Sequence, residues 1–198
     1  MFSKTEVLDN IYTILKKNDF VVLERRIQSQ NEFSLISFTD SDTTQHSFPI
    51  KDFKRLHDEN RGPNTGSMGC IYDSGTLKYL TPELIQEAKA LNSKVIDILN
   101  TKGYPYKGML YGSYIVDGDG KLKVIEFNCR FGDPESVLIM KRLETNFGKI
   151  CHHIAEKTLD QLEIRFRTEN PYAICKYIVP SGYPTLKTKD FPLTITQG

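Results

Sequence analysis

Tryptophan is absent from this sequence, and cysteine occurs only four times, as Cys70, Cys129, Cys151 and Cys175. The cysteines are widely spaced and form no Cys-x-x-Cys pair, which excludes a disulfide framework and favours reduced thiols in a cytosolic protein. No apolar run approaches the roughly 20 residues that a membrane helix needs, and no secretory h-region follows Met1. The sequence therefore predicts a cytoplasmic protein with no membrane partner.

Neither positive nor negative charge is in excess. The chain has 26 Lys and Arg against 25 Asp and Glu, a net charge of +1, and no basic run longer than a pair. Without a basic patch there is no electrostatic case for nucleic acid as a partner. Because 39% of residues are hydrophobic and 26% charged, an ordinary folded domain is expected, and its ligand has to be inferred from particular sites.

The densest group of unlike polar side chains lies in residues 124–135, VIEFNCRFGDPE. The apolar residues at its start predict the end of a buried strand. Side chains alternate along a strand, so Glu126 and Asn128 should share one face while Phe127 points into the core. A carboxylate and an amide oxygen are ligands that Mg²⁺ accepts beside waters and phosphates, and Arg130 can hold a carboxylate or phosphate. From spacing alone, an edge strand ending in a polar turn is the favoured interpretation.

Three segments carry a resemblance to a known family. Residues 126–135, EFNCRFGDPE, resemble the signature of phosphoribosylamine–glycine ligase, an ATP-grasp enzyme also called glycinamide ribonucleotide synthetase. Residues 62–69, GPNTGSMG, are similar to its Gly-Pro-Asn-Thr-Gly-Gly-Met-Gly segment, with Ser67 replacing one glycine. Glycines leave backbone amides free to approach an anion. Residues 52–55, DFKR, resemble the family's Asp-His-Lys-Arg, with Phe53 replacing the histidine.

The resemblance implies a role for individual residues. Asp52 would contact the ammonium of glycine, Arg130 and Asp133 would act with it at the reaction centre, and Glu126 and Asn128 would bind Mg²⁺, with Mn²⁺ as an alternative. The residues implied in ATP binding are Glu24, Glu32, Lys54, Arg55, Asn64 and Gly66. Arg25 replaces the second member of the family's glutamate pair, so Glu24 stands alone there.

The fold class implied is α+β, a partial ATP-grasp-type antiparallel sheet with flanking helices. Residues 1–165 would form the partial ATP-grasp domain, and residues 166–198 would begin a C-terminal domain. Periodicity and capping residues predict the elements. Helices are expected over residues 3–17 (packed on a sheet), 82–102, 134–142 and 147–159, and strands over residues 20–26 and 32–38 (as a hairpin), 108–116, 121–128 and 172–179.

The function implied by the resemblance is ATP-dependent ligation of glycine to phosphoribosylamine through glycyl phosphate, in purine biosynthesis. Members of the family are much longer, so we expect the phosphoribosylamine-binding domain and the first part of the ATP-grasp module to lie outside these residues, with a separate N-terminal chain as one source. Two alternatives stay open: a non-catalytic remnant that binds a nucleotide or a partner, and an ATP-grasp carboxylate–amine ligase with another amine acceptor.

Overall fold

The structure, a computed structural model, describes residues 4–29, 31–74, 77–185 and residue 194. Its helices are α1 (Lys4–Leu15), α2 (Pro82–Thr101), α3 (Glu135–Arg142) and α4 (Phe147–Glu156), followed by a 3-10 turn at Leu159–Gln161. Its strands are β1 (Glu32–Thr39), β2 (Thr44–His46), β3 (Lys51–Asp52), β4 (Arg55–His57), β5 (Arg61–Asn64), β6 (Gly69–Asp73), β7 (Gly108–Val116), β8 (Leu122–Asn128) and β9 (Tyr172–Lys176). No helix in these described ranges is long and apolar enough to cross a membrane.

The main sheet is antiparallel and has the strand order β2-β1-β7-β8. Strand β1 is buried along nearly its whole length because apolar clusters cover both of its faces. Phe33 and Leu35 pack on the α2 side, whereas Ile36 and Phe38 pack with α3 and α4 on the other side. The predicted α+β class, an antiparallel sheet with flanking helices, is confirmed.

Helix α2 begins and ends where the sequence predicts. The hydroxyl of Thr81 accepts the Leu84 amide at 3.4 Å, which caps the helix, and Gly103 follows its end at a φ of +80°. Its buried face includes one polar side chain, Asn92, whose Nδ2 donates to the Leu35 carbonyl at 3.1 Å. That amide fixes the helix against the sheet, because a buried polar group needs partners.

A second sheet has the order β3-β6-β9. It contains Asp52, at the end of β3, and Gly69, the last residue of the glycine-rich segment, at the start of β6. It meets the main sheet where Ser34 of β1 bridges Ile50, just before β3. The amide of Ser34 donates to the Ile50 carbonyl at 2.8 Å, and the amide of Ile50 returns a bond of 2.9 Å. Because this bridge is antiparallel, Asp52 lies beside the start of β1, and the hairpin β4-β5 follows directly after β3.

Three local predictions fail. Helix α1 forms but buries none of its residues, so the predicted packing on a sheet is wrong. Residues 20–26 form no strand, and the predicted hairpin is replaced by pairing of β1 with β2 and β7. Val124 and Ile125 are 42% and 36% exposed rather than buried, because β8 is an edge strand of the described sheet.

Candidate functional site

Glu126 and Asn128 lie side by side on β8, as the alternation predicts. The Nδ2 of Asn128 donates to Oε1 of Glu126 at 2.9 Å. Phe127 between them turns to the other face, where its ring meets Tyr114 edge to face at 6.3 Å. The two oxygen-bearing side chains therefore reach solvent from one face of the sheet.

A β-bulge sets this orientation. Tyr114 pairs with Val124, but its neighbour Ser113 pairs with Glu126, so Ile125 is an extra residue in β8. A bulge of this kind shifts every later side chain to the opposite face. Without it, Glu126 would share the face of Val124 and Tyr114, which is the face covered by α2.

The bulge also aligns Glu126 with two serines. Ser34 of β1 pairs with Ser113 of β7, which pairs with Glu126 of β8, so the three form one row across the sheet. Directly opposed residues of neighbouring antiparallel strands project to the same face. Since strands lie about 4.8 Å apart, Ser34 and Glu126 are roughly 10 Å apart.

Asp52 lies at one end of this row and carries a perturbed carboxyl group. The Ser67 hydroxyl donates to its Oδ1 at 2.5 Å. The pKa of Asp52 is raised to about 6, chiefly by burial; the hydrogen bond from Ser67 opposes the increase, and the charge of Glu135 adds to it. Ser67 stands where the family segment that this stretch resembles has the second of two adjacent glycines, a residue with no hydroxyl to make this contact.

Glu135 is a site residue to which the sequence analysis gave no role, and it is only 1% exposed. Its Oε1 accepts the Ser34 hydroxyl at 3.1 Å. Burial first, and then the charge of Glu135, raise the pKa of the Tyr111 hydroxyl. A side chain at Gly132 would collide with the Glu135 carboxylate, which explains the glycine in the Gly-Asp-Pro-Glu turn. Its position as the last residue of the signature was the signal that could have identified Glu135.

Several predicted residues converge on a narrow pocket between β1, β3 and β7. It is lined by Glu32, Phe33, Ser34, Asp52, Lys54, Tyr111 and Ser113. The pocket thus brings together Asp52 and two of the residues predicted to bind ATP. Its polar groups are mostly acidic or hydroxyl-bearing, and Lys54 is the one cation among them.

The glycine-rich segment runs beside this pocket, held to the residues that follow β3. The Thr65 amide donates to the Lys54 carbonyl at 2.7 Å, and the Met68 amide donates to the Phe53 carbonyl at 2.8 Å. Arg55 donates through Nη1 to the Gly62 carbonyl at 2.8 Å. Strand pairing places Asn64 opposite Arg55, and Gly66 follows at the exposed end of the hairpin. Lys54, Arg55, Asn64 and Gly66 therefore lie near one another, and their assignment to ATP binding stays a prediction.

Three predicted residues lie on the exterior. Arg130 is exposed and its Nη1 donates to the Phe131 carbonyl at 2.7 Å, and Asp133 is exposed on the turn before α3. Glu24 is exposed in a segment without regular structure. A larger cleft of about 550 Å³ lies beside that segment, between residues 25–28 and the turn that joins β7 to β8. Neither Glu24 nor Arg130 lines the narrow pocket, and their assigned roles stay predictions.

The fold and its pocket define a domain of the ATP-grasp class. Among solved structures, the phosphoribosylamine–glycine ligase of Thermotoga maritima matches 81% of this chain and 39% of its own, with a TM-score of 0.65 and 26% identity. A family model described as phosphoribosylglycinamide synthetase, ATP-grasp (A) domain, matches residues 3–136. The chain belongs to this family.

Relatives of similar sequence carry the same name. The phosphoribosylamine–glycine ligase of Methanocella arvoryzae is 36% identical over 199 residues, covering 100% of this chain and 45% of the relative. The ligase of Methanosarcina barkeri is 37% identical over 184 residues, covering 92% of this chain and 41% of the relative. The chain thus spans less than half the length of the curated relatives that it matches.

Proposed function

We propose that this chain supplies the glycine-binding and metal-binding part of a phosphoribosylamine–glycine ligase, which joins glycine to phosphoribosylamine at the expense of ATP. The observation that supports it is the row of Ser34, Ser113 and Glu126 across the sheet. At one end, Ser34 contacts the buried Glu135 beside Asp52. At the other end, Glu126 and Asn128 present oxygen atoms to solvent. An amino acid and a metal-bound phosphate can be held on this face within roughly 10 Å of each other.

The acidic end suits an ammonium group. Asp52 and Glu135 are close enough for the charge of one to raise the pKa of the other. No salt bridge is formed by either carboxylate within the described ranges. A pKa of about 6 leaves Asp52 mostly ionised at pH 7. The ammonium of glycine would relieve the repulsion between the two carboxylates, and it would be held by Asp52 with Glu135 behind it.

The other end suits a divalent metal. The donor set of Glu126 and Asn128 is one carboxylate and one amide oxygen, which are hard ligands of the kind that Mg²⁺ takes. Because the Asn128 amide nitrogen already donates to Glu126, its carbonyl oxygen is left to face the ligand. Glu126 and Asn128 would hold the ion, and substrate phosphates and water would complete its coordination. When bound, the metal neutralises charge on the transferring phosphoryl group.

The remaining residues orient the reactants. A carboxylate oxygen of glycine attacks the γ-phosphorus of ATP and ADP departs, giving glycyl phosphate. The amine of phosphoribosylamine then attacks the acyl carbon, the bond to phosphate breaks, and the amine loses a proton. Asp52 holds glycine with its carboxylate toward the phosphate, while Lys54 and Arg55 contact the anionic groups. No side chain forms a covalent intermediate, so the chain acts by positioning and electrostatics.

The test uses a chimera in which this chain replaces the matching 199-residue stretch of the Methanocella arvoryzae ligase. Phosphate release is measured with glycine, phosphoribosylamine, ATP and Mg²⁺. We expect turnover, and we expect Glu126→Ala to reduce it by roughly 10²–10³-fold, because one well-placed electrostatic group is worth that much. Glu156→Ala, at the exposed end of α4, is the matched control and should retain turnover.

Other outcomes discriminate the alternatives. A chimera that folds and binds ATP without turnover would favour a nucleotide-binding remnant. Turnover with glycine that requires a different amine would favour another carboxylate–amine ligase. Unchanged turnover and unchanged Mg-ATP affinity in Glu126→Ala would contradict the metal assignment. We expect the 198-residue chain alone to release no phosphate in response to glycine, because it spans less than half the length of the related ligases.

A further inference from the structure

The segment that follows α4 contacts both polar motifs, although the family match ends at residue 136. Strand β9 pairs with β6 along its full length. Just beyond it, the Tyr177 amide donates to the carbonyl of Met68, in the glycine-rich segment, at 3.1 Å. The Gly66 amide donates to the hydroxyl of Tyr183 at 3.4 Å. A side chain at Gly69 would collide with the Cys175 carbonyl, so the two segments pack closely.

Tyr177 also reaches the signature turn. Its hydroxyl donates a short hydrogen bond to Oδ1 of Asp133, and this bond is the main cause that raises the pKa of Tyr177 to about 12. Asp133 itself is exposed, and within the described part of the chain its carboxylate has no other hydrogen bond or salt bridge. An exposed aspartate with no partner would sample several staggered rotamers. The hydroxyl of Tyr177 is the group that selects one of them.

We infer that Tyr177 is a positioning residue of the proposed ligase site, because it ties the Asp133 carboxylate to the glycine-rich segment. This inference rests on the proposed function. The main chain of Tyr177 is fixed to Met68 and its side chain to Asp133, so one residue spans the gap between the two motifs. Phosphoryl transfer depends on such relative positions, since a displacement of about 1 Å can reduce the rate by roughly 10²-fold.

The first test needs no activity. In the full 198-residue chain, nitrogen–carbon couplings across χ1 of Asp133 are measured by NMR, with Tyr177→Phe as the variant and Tyr172→Phe as the control. Tyr172 begins β9, five residues before Tyr177, is 64% exposed, and its hydroxyl has no hydrogen bond within the described residues. We expect a single rotamer in the parent and the control, and averaging in Tyr177→Phe. A single rotamer in Tyr177→Phe, or averaging in the parent, would overturn the inference.

A reciprocal variant checks the same bond. Asp133→Ala, which removes the acceptor, should move the titration of the Tyr177 phenol from about 12 toward its ordinary value of 10, followed through the ¹³Cζ signal that Tyr177→Phe identifies. An unchanged titration would show that the two groups are not coupled. Circular dichroism should give equal unfolding midpoints for Tyr177→Phe and Tyr172→Phe, which separates positioning from a loss of fold.

The second test measures the consequence for catalysis in the chimera. We expect Tyr177→Phe to lower kcat by about 10-fold with little change in the KM for ATP, and Tyr172→Phe to leave both unchanged. An unchanged kcat in Tyr177→Phe would overturn the positioning role. An inactive parent chimera would instead contradict the proposed function, and the rotamer measurement would still decide whether Tyr177 fixes Asp133.

Discussion

Asp52→Asn should make the protein more stable while it removes the proposed glycine contact. Burial raises the pKa of Asp52 from its ordinary value of 3.8 to about 6. A pKa difference of this size corresponds to about 3 kcal/mol, since each tenfold change in affinity for the proton is about 1.4 kcal/mol. Asp52 is only partly buried, and screening by water reduces the expected effect to about 1–2 kcal/mol.

The sign of the effect follows from proton linkage. Because the native state binds the Asp52 proton more tightly than the unfolded state does, stability falls as the pH rises from 3.8 to about 6. Above that range the charged carboxylate destabilises the fold. The neutral amide of Asp52→Asn can still accept the Ser67 hydroxyl. The variant should therefore gain stability at pH 8 and differ little from the parent below pH 4.

His46 acts in the opposite direction over nearly the same range. Burial, and then the charge of Lys89, lower its pKa from 6.5 to about 4, and its Nδ1 lies 2.7 Å from the Ser37 hydroxyl. The neutral His46 contributes fully to the free energy of unfolding above pH 6.5, and this contribution is lost as the pH falls toward 4. The loss amounts to up to about 3 kcal/mol before screening by water. In the parent the two titrations partly cancel. Asp52→Asn should therefore lose stability on acidification more steeply than the parent does.

Urea unfolding at pH 8, 5 and 4 measures both effects. It is followed by far-ultraviolet circular dichroism because the chain has no tryptophan to report by fluorescence. The matched control is Asp97→Asn, on the exposed face of α2, which should change stability little at any of these pH values. Equal stability of Asp52→Asn and the parent at pH 8 would refute the argument that Asp52 is held in a destabilised charged form. A parallel loss in both proteins between pH 8 and pH 4 would also refute the Asp52 titration, whereas no loss of stability in Asp52→Asn over that range would refute the opposing role of His46.

Two further predictions concern the packing around the site. Arg142 is 5% exposed, stacks 4.3 Å from the Tyr72 ring and donates to two backbone carbonyls. Arg142→Met should therefore lower the free energy of unfolding, measured in urea, by about 2–4 kcal/mol. An unchanged unfolding midpoint would contradict this prediction. A side chain at Gly112 would collide with the Asn92 amide, so Gly112→Ala should cost about 1–3 kcal/mol in the same assay. Gly118→Ala is the control, because open space surrounds that position; equal effects of the two alanines would contradict the packing argument.

The sequence was most informative where a pattern is satisfied locally. Helix α2 could be predicted because Thr81 caps it, Pro82 begins it and Gly103 ends it, all within the same stretch of chain. The turn between β7 and β8 was predictable for the same reason, since the Asp117 carboxylate accepts the amides of Asp119 and Lys121 at 3.0 and 2.9 Å. Capping and turn chemistry depend on neighbours in sequence, so no knowledge of the fold was needed.

The failures share a different cause. A run of apolar residues predicts that a segment will pack, but not that a partner lies within the chain. Helix α1 has an apolar face and no buried residue, and Phe20, Val22 and Leu23 are exposed without forming a strand. A strand requires hydrogen bonds from a second strand, and alternation alone does not supply them. The clustering of Lys54, Arg55, Asn64 and Gly66 agrees with the family resemblance, whereas periodicity gave no sign of it.

The contact of Glu135 with Ser34 joins residues 101 positions apart and places Glu135 near Asp52. The charge of Glu135 contributes to the raised pKa of Asp52; the Glu135 side chain is buried, and that of Asp52 is partly buried. Replacing such a charge should stabilise the protein, as Asp52→Asn should show, and under the proposed function the charge is kept for the ammonium group that it would bind. The Ile125 bulge turns Glu126 toward the same face. Under the proposed function, the charged Asp52 and the bulge at Ile125 would both direct carboxylates toward one face of the sheet, where a cationic substrate and a metal-bound phosphate would meet.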